Sequence, residues 1–147
     1  MYVESFHLTP EDEGRLNAKH ACTLIQFHFV LGTWKRRGVF GSQEGRAIAT
    51  AWQRLQAKNQ FALLKVSFLP DHVHLAVRSH PAVSPAKLVV IFMNVGQQVM
   101  FEHCPDAVIS ARLERLWQPS AYMGSYGSLA TPQIQRYMQN WANESGE

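Results

Sequence analysis

Apolar and polar positions along the chain change their period several times, and each change marks an element. The first 20 residues are polar, carry Pro10 and an acidic cluster, and show no clear period, so they are expected to form an arm or short helix outside the core. Residues 22–31 are rich in β-branched and aromatic side chains and predict a first strand. Phe27, Phe29 and Leu31 share one face of it, Gln26 and His28 the other. After a basic turn around Gly38, residues 43–58 set Ile48, Ala51, Trp52 and Leu55 at helical spacing. Two further strand-like runs, 62–68 and 72–78, are joined by the short link 69–71, where proline and aspartate favour a turn, so the two must be antiparallel neighbours.

Ser84 followed by Pro85 reads as an N-cap and first helical position. Leu88, Ile91, Phe92, Val95 and Val99 continue the stripe of a second long helix that ends near His103 or Pro105. Residues 114–126, with Trp117, Tyr122 and Tyr126, predict a last strand running into a Gly-rich turn. Thr131 and Pro132 open a third helix that runs to about Asn143. Strand, helix, strand, strand, helix, strand, helix is the order of an α+β sandwich of ferredoxin or RNA-recognition-motif type, an antiparallel sheet with helices on one face. The expected division is an N-terminal arm over residues 1–20 and one domain over 21–147.

Composition narrows this little: 147 residues and 46% apolar content suffice for one buried core. Cys22 and Cys104 are too few for a disulfide framework, which fits a reducing compartment. With no leader-like N-terminus and no apolar run long enough to span a bilayer, a cytoplasmic location is the expectation. Charge is more informative in its distribution than in its total of +3. Residues 1–20 carry a net −2 and the last six residues another −2, which leaves +7 on residues 21–141. Such a core attracts polyanions, nucleic acid foremost, and Lys35, Arg36 and Arg37 are its densest cationic point, with Trp34 beside them as a base-stacking candidate. A solvated basic loop and a buried tryptophan are the plain alternatives.

The candidate chemistry lies in Asp71-His-Val-His-Leu-Ala-Val77. On a strand, Val73, Leu75 and Val77 face one way, under the helices, while His72 and His74 emerge on the other side about 7 Å apart, able to converge on one ion. Two histidines on a solvated strand face can equally be ordinary polar residues. His28 falls on the same expected face, and Asp71 is suited either to the turn or to supporting a ligand. In the third helix, Ile134, Met138 and Trp141 form the apolar stripe; Tyr137 lies at its margin with Gln133 one turn earlier. A phenol is a weak nucleophile at its free pKa near 10, but a metal that polarises a phosphate makes its attack feasible.

Taken together, these segments resemble a known family. Leu69-Pro-Asp-His-Val-His-Leu75 is similar to the histidine-hydrophobe-histidine (HUH) motif of the single-tyrosine, IS200-like transposases of the smallest bacterial insertion sequences and of their REP-associated relatives. Phe27-His-Phe-Val with Thr33-Trp-Lys-Arg-Arg-Gly-Val-Phe40 resembles the family's opening strand and basic turn, 116–127 its last strand and glycine turn, and Ile134-Gln-Arg-Tyr137 the helix that bears the nucleophile. The resemblance covers roughly residues 22–141. It implies a homodimer that cuts and rejoins single-stranded DNA at hairpin-bearing ends through a 5′-phosphotyrosine on Tyr137, with Mg2+ or Mn2+ on His72 and His74. Members usually carry glutamine four residues after the tyrosine as a further metal ligand; here Trp141 stands there, and Gln133 is the substitute on the same helix face. A domesticated protein that binds single-stranded nucleic acid without cutting it is the alternative this departure raises.

Overall fold

The computed structural model describes residues 1–125, and everything below concerns those residues. In chain order the elements are β1 (Tyr2–Ser5), α1 (Pro10–Leu16), β2 (Ile25–Thr33), a short 3-10 turn (Trp34–Arg36), α2 (Ser42–Arg54), β3 (Phe61–Leu69), β4 (His72–Ser79), α3 (Pro85–His103), α4 (Pro105–Ser110) and β5 (Trp117–Ser125). The strands form one antiparallel sheet in the order β1-β3-β4-β2-β5. Without β1, this is the ferredoxin arrangement: α2 crosses from β2 to β3 and α3 from β4 to β5, each over an intervening strand. The α+β fold expected from the sequence is therefore the observed one; the helix expected after residue 131 lies outside the described residues.

Both long helices pack on one face. Ile48, Ala49 and Trp52 of α2 and Leu88, Phe92, Val99 and Met100 of α3 meet Phe29, Leu31, Val66, Phe68, Val73, Leu75 and Val77 of the strands in one core. Two tryptophans lock the layers together: Trp52 donates through Nε1 to the carbonyl of Phe92 (3.0 Å), and Trp117 of β5 donates to that of Met93 (2.8 Å). A buried indole N–H would otherwise go unpaired, so each bond fixes its ring in place. Ser84 caps α3 through the N–H of Lys87, and Pro85 takes the first position, as the sequence indicates.

Three expectations are corrected. The first 20 residues are not outside the sheet: β1 pairs with β3 along an edge, Tyr2 packs on Phe68, and Leu16 is fully buried. An edge strand this short needs few inward apolar residues, and the acidic first turn of α1, capped reciprocally by Thr9 and Asp12, hides it in the pattern. The buried stripe of α3 includes Val89, Gly96 and Met100, with Val95 only part-buried, so the stripe is rotated from the expected one. Finally, the chain after α3 forms α4, with Pro105 restarting a helix where one was expected only to end.

Candidate functional site

On β4 the alternation falls as expected: Val73, Leu75 and Val77 are fully buried in the core, and His72 and His74 lie half-buried on the opposite face. His74 has Val30 of β2 on one side and Ser67 of β3 on the other, while His72 lies between Gly32 and Leu69. The two rings are 5.1 Å apart, centre to centre. His28, the register partner of Ala76 on the neighbouring strand, joins them: its Nε2 lies 3.2 Å from Nδ1 of His74.

The other ring is held from the turn. Asp71, in the two-residue link between β3 and β4, accepts from Nδ1 of His72 at 2.7 Å, and its second carboxylate oxygen is 3.2 Å from Nε of Arg36. The Asp71 backbone is fixed as well, its carbonyl accepting from the N–H and hydroxyl of Thr33. Lys35 and Arg36 have positive φ, near 54°, where residues with a Cβ are strained. That backbone turns Arg36 back toward Asp71.

Electrostatics favour neutral rings at His28 and His74 and a charged carboxylate at Asp71. Burial, followed by the charges of His72 and His28, pushes the His74 imidazolium down to about pKa 4. Burial also lowers His28. The hydrogen bond from His72, reinforced by the charges of His72 and Arg36 against the cost of burial, holds Asp71 below the ordinary carboxylate range.

Both candidate ligands thus have Nδ1 engaged. Neither Nε2 has a hydrogen-bond partner among the described residues. A carboxylate behind a histidine, fixing tautomer and ring orientation, is the usual support of a metal-binding imidazole, so this donor set fits a divalent ion. It is half a site: among the described residues no three His, Cys, Asp or Glu side chains are grouped to hold a metal. Tyr137 and Gln133, the proposed nucleophile and third ligand, lie outside the described residues.

The remaining candidates are dispersed. Arg37 donates to the carbonyls of Ala111 and Arg112 and ties the basic turn to the end of α4. Trp34 is part-buried against the core, with the guanidinium of Arg115 4.3 Å above its ring. Lys35 is part-buried beside it. Three groups on the histidine face escaped the sequence reading. Lys65 and Ser67 line a cavity there with His28 and His74, and Tyr122 of β5 pairs with Val30.

A family model described as "Transposase IS200 like" matches residues 21–141, most of the chain. The chain belongs to this family. As an IS200-like transposase it is similar to the ISDra2 transposase TnpA of Deinococcus radiodurans, with 21% identity over 116 residues, 79% of this chain and 83% of that protein. Among solved structures, a D. radiodurans protein crystallised as a candidate transposase superposes with a TM-score of 0.75 at 20% identity, over 84% of this chain and 95% of that one. A REP-associated tyrosine transposase bound to a REP hairpin superposes with a TM-score of 0.50 at 12% identity, over 77% of this chain and 61% of that one. At such identities the superpositions establish the fold that IS200-like transposases share. Among the described residues of this transposase, no helix is long and apolar enough to cross a membrane.

Proposed function

We propose that this transposase cuts and rejoins single-stranded DNA through a phosphotyrosine on Tyr137. The observation that carries the reading is the pair of imidazoles on one sheet face, each engaged through Nδ1 and each with an Nε2 that has no partner among the described residues. His72 and His74 would hold a divalent ion, Mg2+ or Mn2+, with Gln133 as the further ligand; when bound, it supplies Lewis-acid polarisation of the scissile phosphate.

The phenolic oxygen of Tyr137 attacks phosphorus, the bond from phosphorus to the 3′ oxygen breaks, and that oxygen takes a proton to leave as a free 3′-OH. The 5′ phosphate stays on the enzyme as a tyrosyl diester. In the second step another 3′-OH attacks the same phosphorus and returns the phenol. One phosphodiester is exchanged for another in each step, so no nucleotide triphosphate is consumed. The related REP-associated tyrosine transposase is bound to a hairpin, which supports hairpin-bearing DNA as the substrate here. A homodimer, acting in the cytoplasm, completes the reading.

The test is a covalent adduct. Hairpin DNA with single-stranded flanks and Mn2+ should give a protein–DNA species that survives denaturation and is lost with EDTA, with His72→Ala and with Tyr137→Phe. Tyr122 lies on the histidine face and is the control: an adduct that persists in Tyr137→Phe and vanishes in Tyr122→Phe would overturn the assignment.

Trp141, standing where the family resemblance places glutamine, favours a second reading, a protein of the same fold that binds single-stranded nucleic acid without cutting it. That reading expects hairpin binding unchanged by Tyr137→Phe or EDTA, and no adduct.

A further inference from the structure

The ladder between β3 and β4 is irregular beside the histidines. Leu63 pairs with Val77 and Lys65 with Ala76, so Leu64 is an extra residue in β3. One extra residue reverses side-chain parity beyond it. Before the bulge Phe61 and Leu63 are the buried core residues; after it Val66 and Phe68 are. In unbroken alternation Lys65 would share the inward face of Phe61 and Leu63. With the bulge, Lys65 and Ser67 fall on the histidine face, and Ser67 becomes the direct register partner of His74.

A cavity of about 300 Å³ opens there, lined by His28, Lys65, Ser67, His74, Leu75 and Ala76. Among the described residues no carboxylate lines it. The ladder partners of Lys65, Ser5 and Ala76, carry no charge. Neither the ammonium of Lys65 nor the hydroxyl of Ser67 has a hydrogen-bond or ion-pair partner among the described residues. Two unused donors on a wall free of negative charge, aimed there by a bulge, suit an anion with several acceptor oxygens. A lysine placed only for solubility would not need the ladder to be interrupted.

We propose that this cavity is a backbone-phosphate subsite for the DNA strand, in which Lys65 and Ser67 hold the phosphodiester next to the one that reacts. The inference rests on the single-stranded DNA reading above and deepens it. Directly opposed residues of an antiparallel pair lie about 5 Å apart, so Ser67 is within reach of the backbone of a strand lying across His74.

The experiment uses the full chain and a fluorescein-labelled DNA hairpin with oligothymidylate flanks, in EDTA, with binding read by anisotropy over a salt series. Lys65→Gln should weaken binding about fivefold and lower the salt slope by about 0.7, the value for one phosphate contact on a single strand. Lys65→Arg should restore both. A methylphosphonate placed at successive flank positions should cost the wild type affinity at one position and cost Lys65→Gln nothing further there. Lys65 is exposed, so its replacement leaves the core intact. A Lys65→Gln protein with wild-type affinity and slope overturns the subsite while the DNA reading stands. Failure of the wild type to bind the hairpin overturns both.

Discussion

The carboxylate of Asp71 bridges Nδ1 of His72 at 2.7 Å and Nε of Arg36 at 3.2 Å, so one residue of the basic turn is tied to the histidine motif. Asp71 therefore controls the direction in which His72 presents Nε2. Asp71→Asn keeps the shape of the side chain and removes its charge. It should lower Mn2+ affinity by about 10- to 100-fold, the usual cost of losing such a support, as measured by calorimetry or by the EPR signal of free Mn2+. Arg36→Gln should act in the same direction and less strongly. Wild-type affinity in Asp71→Asn would mean that the carboxylate serves the turn alone.

His74 gives the protein an acid-sensitive point. The unfolded chain takes up a proton at this histidine near pH 6.5, but the folded one not until about pH 4, where burial and the two neighbouring imidazoles have pushed it. Between those values the unfolded state binds more protons, so stability falls as pH falls. His28, lowered by burial, adds in the same direction. Urea unfolding in EDTA should show a midpoint that declines from pH 7 to pH 4.5, with a shallower decline in His74→Gln. Asp71, also lowered on folding, acts in the same sense further down the pH scale: its stabilisation is complete above the unfolded carboxylate pKa and is lost only in stronger acid. Equal pH slopes for wild type and His74→Gln would show that this ring does not titrate differently on folding.

At Gly96, α3 lies close against Trp117 of β5. A Cβ built there would lie 2.8 Å from Cζ2 of Trp117, whose indole is pinned by its bond to the Met93 carbonyl and has little freedom to retreat. Alanine in place of a helical glycine gains up to about 1 kcal/mol from helix propensity. Overpacking a fixed ring costs roughly 1–3 kcal/mol. Gly96→Ala should therefore be neutral to destabilising by about 2 kcal/mol by denaturant titration, with a change in tryptophan fluorescence. A stabilised variant would show that Trp117 can move.

The strands that carry the site were legible because their alternation is strict where one face is buried. Val73, Leu75 and Val77 can only point inward, and that alone puts His72 and His74 on the other side. The Asp71–His72 contact was half legible: the turn residue was visible, but its link to Arg36 depends on two residues with positive φ that no apolar period records. The Leu64 bulge was written in the pattern, since the apolar parity shifts between Leu63 and Val66. Lys65 escaped notice because a single lysine in an apolar run reads as a snorkelling interruption. The first 20 residues were misread because charge dominates them, whereas the contacts that order them are few: Tyr2 on Phe68, and Arg15 on the carbonyl of Phe61 at 2.8 Å.

Trp141 stands where the family resemblance leads one to expect glutamine. On the helix expected from the sequence, positions 137 and 141, four residues apart, would share a face. Indole offers no lone pair to a metal, whereas a glutamine amide oxygen does. If the proposed metal-assisted chemistry is limited by a missing ligand, Trp141→Gln should tighten Mn2+ binding and raise the yield of covalent adduct on hairpin DNA, and the gain should vanish in the Trp141→Gln, His72→Ala double variant. Gln133→Ala discriminates further. Where Gln133 already supplies the oxygen, its loss should cost affinity in the wild type and cost little once glutamine stands at 141. A Trp141→Gln protein with unchanged affinity and yield would show that the ligand shell is complete without that position.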